Sequence, residues 1–144
     1  MKKKTILVVC DDNVIYSKLA EAYLIKFAGH WKNTFSAGIN ITDKKVSPDL
    51  KIILTEDQLE NSIAYSLKNI KDFEINSYDY ILALTPNAHE YCKNNIPKKE
   101  IALLTINSLK TEQVESVYEV SKEIKSELLK FVKNGPIKRW IEFN

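Results

Sequence analysis

Residues Thr5-Ile-Leu-Val-Val9 form an unbroken apolar run rich in β-branched side chains, with lysines before it and Asp11 and Asp12 after it. A run without alternation predicts a strand buried on both faces of a parallel sheet. From Ser17 to Ala28 the pattern changes: Leu19, Tyr23 and Phe27 recur at helical spacing with Ala20, Leu24 and Ala28 beside them, and Gly29 supplies a stop. Asn33 to Ile39 reads as a second strand. Ser47-Pro48 is a cap and first-turn pair for a helix through about Glu56, and Ser66 to about Phe73 predicts another short helix. Tyr80-Ile-Leu-Ala-Leu84 is the second clear buried strand, followed by Thr85-Pro86 and a helix to about Cys92. Ile101 to Ile106 supplies a fourth strand. Thr111 to Lys133 predicts a long amphipathic helix with Val114, Val117, Ile124, Leu128, Phe131 and Val132 near one face, closed by Gly135-Pro136.

Strands alternating with helices imply an α/β fold: three layers, with a four-stranded parallel sheet and helices on both faces. Ligands of such sheets sit beyond the carboxyl ends of the strands, so the turns after Val9 and Leu84 are where a site is expected. No internal repeat or linker interrupts the chain. Residues 1–136 read as one domain and 137–144, with Trp140 and Phe143, as an aromatic C-terminal tail whose role is either docking or packing against the long helix.

Composition narrows the classes. The 144 residues are 44% hydrophobic and 28% charged with only 3 Gly and 4 Pro, which excludes collagen-like and low-complexity chains and argues against disorder. The formal charge of +2 is too slight and too dispersed for a nucleic-acid stripe or a polybasic membrane anchor. The apolar run near the N-terminus is shorter than a secretory segment needs, and no stretch approaches the ~20 apolar residues of a membrane span, so a cytoplasmic location is expected. Cys10 and Cys92 match no zinc or CxxC spacing, and a reducing cytoplasm keeps an ordinary pair as thiols.

Cys10 carries the candidate chemistry. It ends a buried strand and precedes a loop and a helix, where backbone N–H groups and the helix dipole bind anions and lower a thiol pKa. Taken bare, a cysteine at the edge of an apolar strand is more often a core thiol, and it is the surrounding sequence that favours chemistry. The segment Ile6-Leu-Val-Val-Cys10-Asp-Asp-Asn13-Val-Ile-Tyr16-Ser17-Lys-Leu-Ala20-Glu21 resembles the phosphate loop of low-molecular-weight protein tyrosine phosphatases and thioredoxin-coupled arsenate reductases. Their pattern is Cys, five residues, Arg, then Ser or Thr, with Ala-Glu on the helix that follows. Phe35-Ser36-Ala37-Gly38-Ile39 is similar to the Ser-Ala-Gly segment of that family. Asp79 to Cys92 is similar in spacing to the arsenate reductase segment that carries two recycling cysteines.

The resemblance implies a catalytic inventory that this chain only partly keeps. In the family a thiolate attacks a tetrahedral oxyanion, an arginine grips its oxygens and an aspartic acid protonates the leaving group. Cys10 matches the nucleophile. Tyr16 stands at the arginine position, Arg139 in the tail being the chain's only arginine. Asp11 and Asp12 place negative charge beside the thiol. No aspartate follows Asp79, and Leu104-Thr-Ile-Asn-Ser108 stands where the family carries Asp-Pro; Glu100 and Glu112 are the remaining candidates for a general acid but read better as surface residues at element ends. Losing a two-pronged clamp costs several kcal/mol, and a like charge at about 5 Å adds roughly 3 kcal/mol at an effective dielectric of 20. A phosphate ester held at millimolar strength has only about 4 kcal/mol to lose.

The expected function is therefore that of a phosphatase-like binding or regulatory protein without phosphatase activity, using the surface around Cys10, Asp11, Asp12, Asn13, Tyr16, Ser17 and Thr85. The alternative is a thiol oxidoreductase in which Cys10 pairs with Cys92 as redox partner and a thioredoxin-like protein is the reductant. Thr85 stands at the middle cysteine of that relay. Asn13, Glu21 and Ser36 match positions that support the loop and hold a monovalent cation in the arsenate reductase branch. Lys68 falls near a further acidic ligand, where either its ammonium replaces the cation and pairs with Glu21 or it is a solvated lysine on a helix. His30 and His89 read as surface or packing residues. No cofactor, no resident metal, no nucleic acid and no membrane is expected. The partner is an unidentified protein or small molecule, although the acidic loop is also a candidate for binding a divalent cation.

Overall fold

The computed structural model describes residues 4–28, 32–42, 45–74, 78–96, 100–104, 106 and 116–134. Four strands, β1 (Lys4–Cys10), β2 (Lys32–Gly38), β3 (Tyr80–Ala83) and β4 (Glu100–Leu103), form one sheet in the order β2-β1-β3-β4. All three pairings are parallel, with Cys10 opposite Gly38 and Val9 opposite both Ala37 and Ala83. The unbroken apolar run of β1 has the burial that pattern predicts. Ile6, Leu7, Val8 and Val9 are fully buried, their side chains alternating between two cores.

One core lies under α1 (Tyr16–Ala28), α2 (Pro48–Glu56) and α4 (Val117–Asn134), where Ile6 and Val8 meet Leu19, Leu54, Ile124 and Leu128. The other lies under α3 (Pro86–Asn95), where Leu7 and Val9 meet Ile81, Ala88 and Cys92. The architecture is thus three-layered α/β, as the alternation predicted. Helix α1 packs against both α4 and β2 and is buried along Ser17 to Leu24, with even Lys18 and Glu21 inside, the first reaching Ala64 O and the second Ser36.

The helix starts follow their caps. Ser47 Oγ accepts from Asp49 N at the start of α2, Thr85 Oγ1 accepts from Ala88 N at the start of α3, and a proline fills the first turn of each. The helix predicted over Ser66 to Phe73 is not formed. That segment is extended through Asn69, which is paired beside Gly38, and closes into one 3-10 turn at Ile70–Asp72 capped by Asn69. Asn69 caps the turn and Ile70 is its buried residue, so the apolar spacing there serves a turn at the sheet edge and not a helix. Helix α4 is described from Val117. Residues 111–115, His30, Arg139 and the tail 137–144 lie outside the described residues, as do Thr105, Asn107, Ser108 and Glu112.

The strand order places a topological switch at β1. The chain leaves β1 toward β2 on one side, and β3 then adds on the other. The crevice at the carboxyl ends of β1 and β3 receives the loop after Cys10 and the turn at Thr85.

Candidate functional site

The loop from Asp11 to Ile15 joins β1 to α1 and closes around the Cys10 thiol. Asn13 is its pivot. It takes a left-handed conformation, φ 58°, which asparagine tolerates better than most residues. It is fully buried, and Nδ2 donates to Ser17 Oγ (2.7 Å) and Ser36 Oγ (3.0 Å) while Oδ1 accepts from Lys68 N (2.9 Å). Ser36 in turn donates to Glu21 Oε1 at 2.6 Å. The backbone after β2 holds the loop from its other side, Ile39 N donating to Cys10 O and Asn40 N to Asp11 O. Gly38 makes that approach feasible, since a Cβ there would lie 2.7 Å from Asp12 C and 2.9 Å from Asn13 N.

Cys10 Sγ donates to Ser17 Oγ at 2.9 Å and accepts from Asn13 N at 3.3 Å. Burial nevertheless dominates and raises its pKa above that of a free thiol. The Ser17 and backbone hydrogen bonds oppose this, and the Asp12 carboxylate adds to it. Asp12 Oδ1 accepts from Val14 N at 3.2 Å, so a backbone donor of the loop is engaged by the loop's own carboxylate. Asp11 Oδ1 accepts from Thr85 Oγ1 at 2.7 Å, tying the loop to the start of α3. Tyr16 opens α1, half-buried, its phenol pKa raised by burial and then by Asp12. These residues assemble a small, largely buried site with two acidic groups around a protonated thiol.

The sequence profile of the family described as low molecular weight phosphotyrosine protein phosphatase matches residues 5–133. The chain belongs to that family. Solved structures agree on the fold. The YwlE mutant from Bacillus subtilis superposes with a TM-score of 0.66 at 21% identity, covering 91% of this chain and 97% of the other. An arsenate reductase from Archaeoglobus fulgidus gives 0.67 at 22% identity, covering 90% and 99%. SP-PTP, a low molecular weight protein tyrosine phosphatase from Streptococcus pyogenes, gives 0.72 at 16% identity, covering 96% and 97%. No curated protein matches by sequence.

Of the residues singled out from the sequence, Cys10, Asp11, Asp12, Asn13, Tyr16, Ser17, Thr85, Glu21 and Ser36 are brought together. Cys92 is not. It is buried in the core under α3, whereas Cys10 belongs to the core under α1, and both thiols are free. Burial raises the Cys92 pKa to about 11. Lys68 is the solvated lysine of the two readings, though not on a helix. Its backbone supports the loop, but its side chain is exposed and makes no ion pair with Glu21. The ammonium beside Glu21 is that of Lys18, 2% exposed, which donates to Ala64 O at 3.0 Å and draws the Glu21 pKa down against the larger effect of burial. The signal for Lys18 was its place one residue after Ser17, between buried positions of α1 and three before an acid. Among the described residues no group of three or more His, Cys, Asp or Glu side chains converges to hold a metal ion, and no helix is long and apolar enough to cross a membrane.

Proposed function

We propose that this chain is a family member that does not hydrolyse phosphate monoesters and acts as a binding or regulatory protein through the surface formed by Cys10, Asp11, Asp12, Tyr16 and Thr85. The observation that carries this reading is the Asp12 carboxylate on Val14 N–H. Backbone N–H groups at the start of a helix are what an oxyanion loop offers its ligand. Here one of them is already met by a negative charge, and a phosphate would have to displace that charge or sit beside it. Tyr16, at the position where the family resemblance places an arginine, offers one hydroxyl in place of a five-donor guanidinium.

The thiol supports the same reading. Catalysis needs thiolate near neutral pH, and the raised Cys10 pKa keeps it protonated. The thiol oxidoreductase reading has less support, because Cys10 and Cys92 lie in the cores on opposite faces of the sheet. Two free thiols are what a reducing cytoplasm maintains, and we place the protein there. The decisive experiment is turnover of an aryl phosphate between mild acid and neutral pH, with Cys10→Ser as control. No turnover above the control is expected. Hydrolysis that disappears in Cys10→Ser would overturn the proposal.

A further inference from the structure

Behind the loop, at the free edge of β2, lies a cavity of about 300 Å³ lined by Lys18, Glu21, Phe35, Phe73, Lys68 and Asp72, among others. Its wall joins two kinds of surface. Phe35 is 46% exposed although its strand neighbours Thr34 and Ser36 are buried, and its ring packs against that of Phe73 with centroids 6.3 Å apart. These rings offer an apolar face at the rim of the cavity. Lys18 and Glu21 form the buried part of the wall, and each keeps hydrogen-bonding capacity toward the cavity. An ammonium has three donors, and Lys18 uses one, to Ala64 O. Glu21 uses Oε1 for Ser36, and its Oε2 has no hydrogen bond among the described residues. The two charged groups are not in ion-pair contact with each other, although both are held inside the protein.

We infer that this cavity binds a small zwitterion with an apolar body, of the kind an apolar or aromatic α-amino acid presents. A buried ammonium with free donors calls for an anionic acceptor, and a buried carboxylate with a free oxygen calls for a cationic donor. A simple anion would be placed against Glu21, and a metal cation against Lys18. A ligand carrying both charges satisfies both groups, and its apolar part covers Phe35 and Phe73. Two lysines and two acids line the cavity, so its own charge is balanced and matches a ligand of zero net charge. The volume lies at the low end for ligand cavities, which suits a single small molecule. The cavity lies beside the Cys10 site and shares Glu21 and Ser36 with its supporting network, Ser36 and the backbone N–H of Lys68 both meeting Asn13.

Titration calorimetry of the whole chain with L-phenylalanine and L-leucine tests this. Phenylpropionate, which lacks the amine, and phenethylamine, which lacks the carboxylate, serve as comparison ligands. Saturable binding of at least one amino acid is expected, with each comparison ligand weaker by about tenfold or more, the loss of one charge-assisted contact. Phe73→Ala, and Phe35→Ala should the first fail to fold, is expected to weaken binding by a similar factor. No saturable binding of either amino acid up to about 10 mM, comparison ligands that bind as well as the amino acids, or a folded Phe variant that binds unchanged would each overturn the inference.

Discussion

Asp12 and Val14 are joined across a single residue, Oδ1 of the first accepting the backbone N–H of the second at 3.2 Å. The geometry is that of an Asx turn, and it is local enough to form with the loop itself. Its cost falls on anion binding, because a carboxylate sits where an incoming phosphate or vanadate needs a donor. Asp12→Gly removes both the acceptor and the charge. The variant is expected to bind phosphate or vanadate about tenfold more tightly than the natural chain, a gain of ~1.4 kcal/mol, well inside the roughly 3 kcal/mol of one like-charge contact. Titration calorimetry checks it, and unchanged affinity would mean that the carboxylate is not what closes the loop.

Asn13 makes a sharper claim on stability. One buried side chain supplies three hydrogen bonds, to Ser17, Ser36 and Lys68 N, while its backbone holds a left-handed conformation. Asn13→Ala leaves those partners unmet and adds backbone strain, for a loss of about 3 kcal/mol or more. Asn13→Gly loses the same hydrogen bonds without that strain and should be about 1 kcal/mol less damaging. Urea unfolding with an unchanged slope gives both numbers, and equal losses would remove the strain from the account.

The main lines of this fold were legible because single stretches of chain carry them. Thr5 to Val9 could be read as a doubly buried strand from its lack of alternation, and Ser47-Pro48 and Thr85-Pro86 announced their helices by cap chemistry alone. The segment from Ser66 to Phe73 misled because its spacing is helical while its backbone hydrogen bonds go elsewhere. Gly38 N donates to Lys68 O, and Lys68 N to Asn13 Oδ1, so tertiary contacts outweigh a short local preference. The site was half legible for the same reason. Cys10, Asn13 and Ser17 are close in sequence, and their grouping follows from the loop. Which lysine would face Glu21 depended on how segments far apart in sequence pack, and Lys18 lies inside with its ammonium on Ala64 O, 46 residues further along the chain.

The two thiols should be unreactive at neutral pH. Cys92, raised to about 11 by burial, remains a thiol throughout the physiological range, and Cys10 is shifted in the same direction by the same cause. Alkylation of the folded protein by iodoacetamide is expected to be slow at pH 7 for both residues, with no inflection below the ordinary thiol pKa. Mild peroxide followed by mass spectrometry should give no linkage between Cys10 and Cys92, because bridging them requires Cys92 to leave the core under α3. A fast-alkylating Cys10, or an intramolecular linkage, would restore the redox reading.

A charge cluster joins α1, α2 and α4 at Asp57. Tyr23 donates to Asp57 Oδ2 at 2.9 Å, and Lys125 reaches Oδ1 at 3.2 Å while lying over the Tyr23 ring. Burial alone would raise the Asp57 pKa, but the hydrogen bond from Tyr23 and the Lys125 charge together hold it below the ordinary value. The folded state thus binds the Asp57 proton less readily than the unfolded one. Its stabilisation is present above the unfolded pKa of about 3.9 and is lost as pH falls through the lower folded value. Lys125→Met should cost roughly 0.5–1 kcal/mol at pH 7, as partly exposed pairs do, and the difference from the natural chain should shrink as Asp57 protonates. Urea midpoints from pH 7 down to about 3 follow it.

Lys18 and Glu21 supply the opposite sign. Burial raises the Glu21 pKa despite Ser36 and Lys18, and burial lowers the Lys18 pKa despite Glu21, so the fold carries both charges at a cost that each partner reduces. For Glu21 the folded pKa lies above the unfolded one. Its charged form therefore weakens the fold above the unfolded pKa of about 4.3, and that penalty is relieved as pH falls through the folded value. Lys18→Met removes the nearby compensating ammonium and its hydrogen bond to Ala64 O, for an expected loss of about 1.5–3 kcal/mol at pH 7. Its stability should fall with rising pH more steeply than that of the natural chain, since Glu21 is pushed further up. Adding Glu21→Gln removes the lone charge, and the double variant should regain at least about 1 kcal/mol relative to Lys18→Met. If the single losses simply add, the two side chains act independently, and the ammonium of Lys18 is not what stabilises the carboxylate behind the loop.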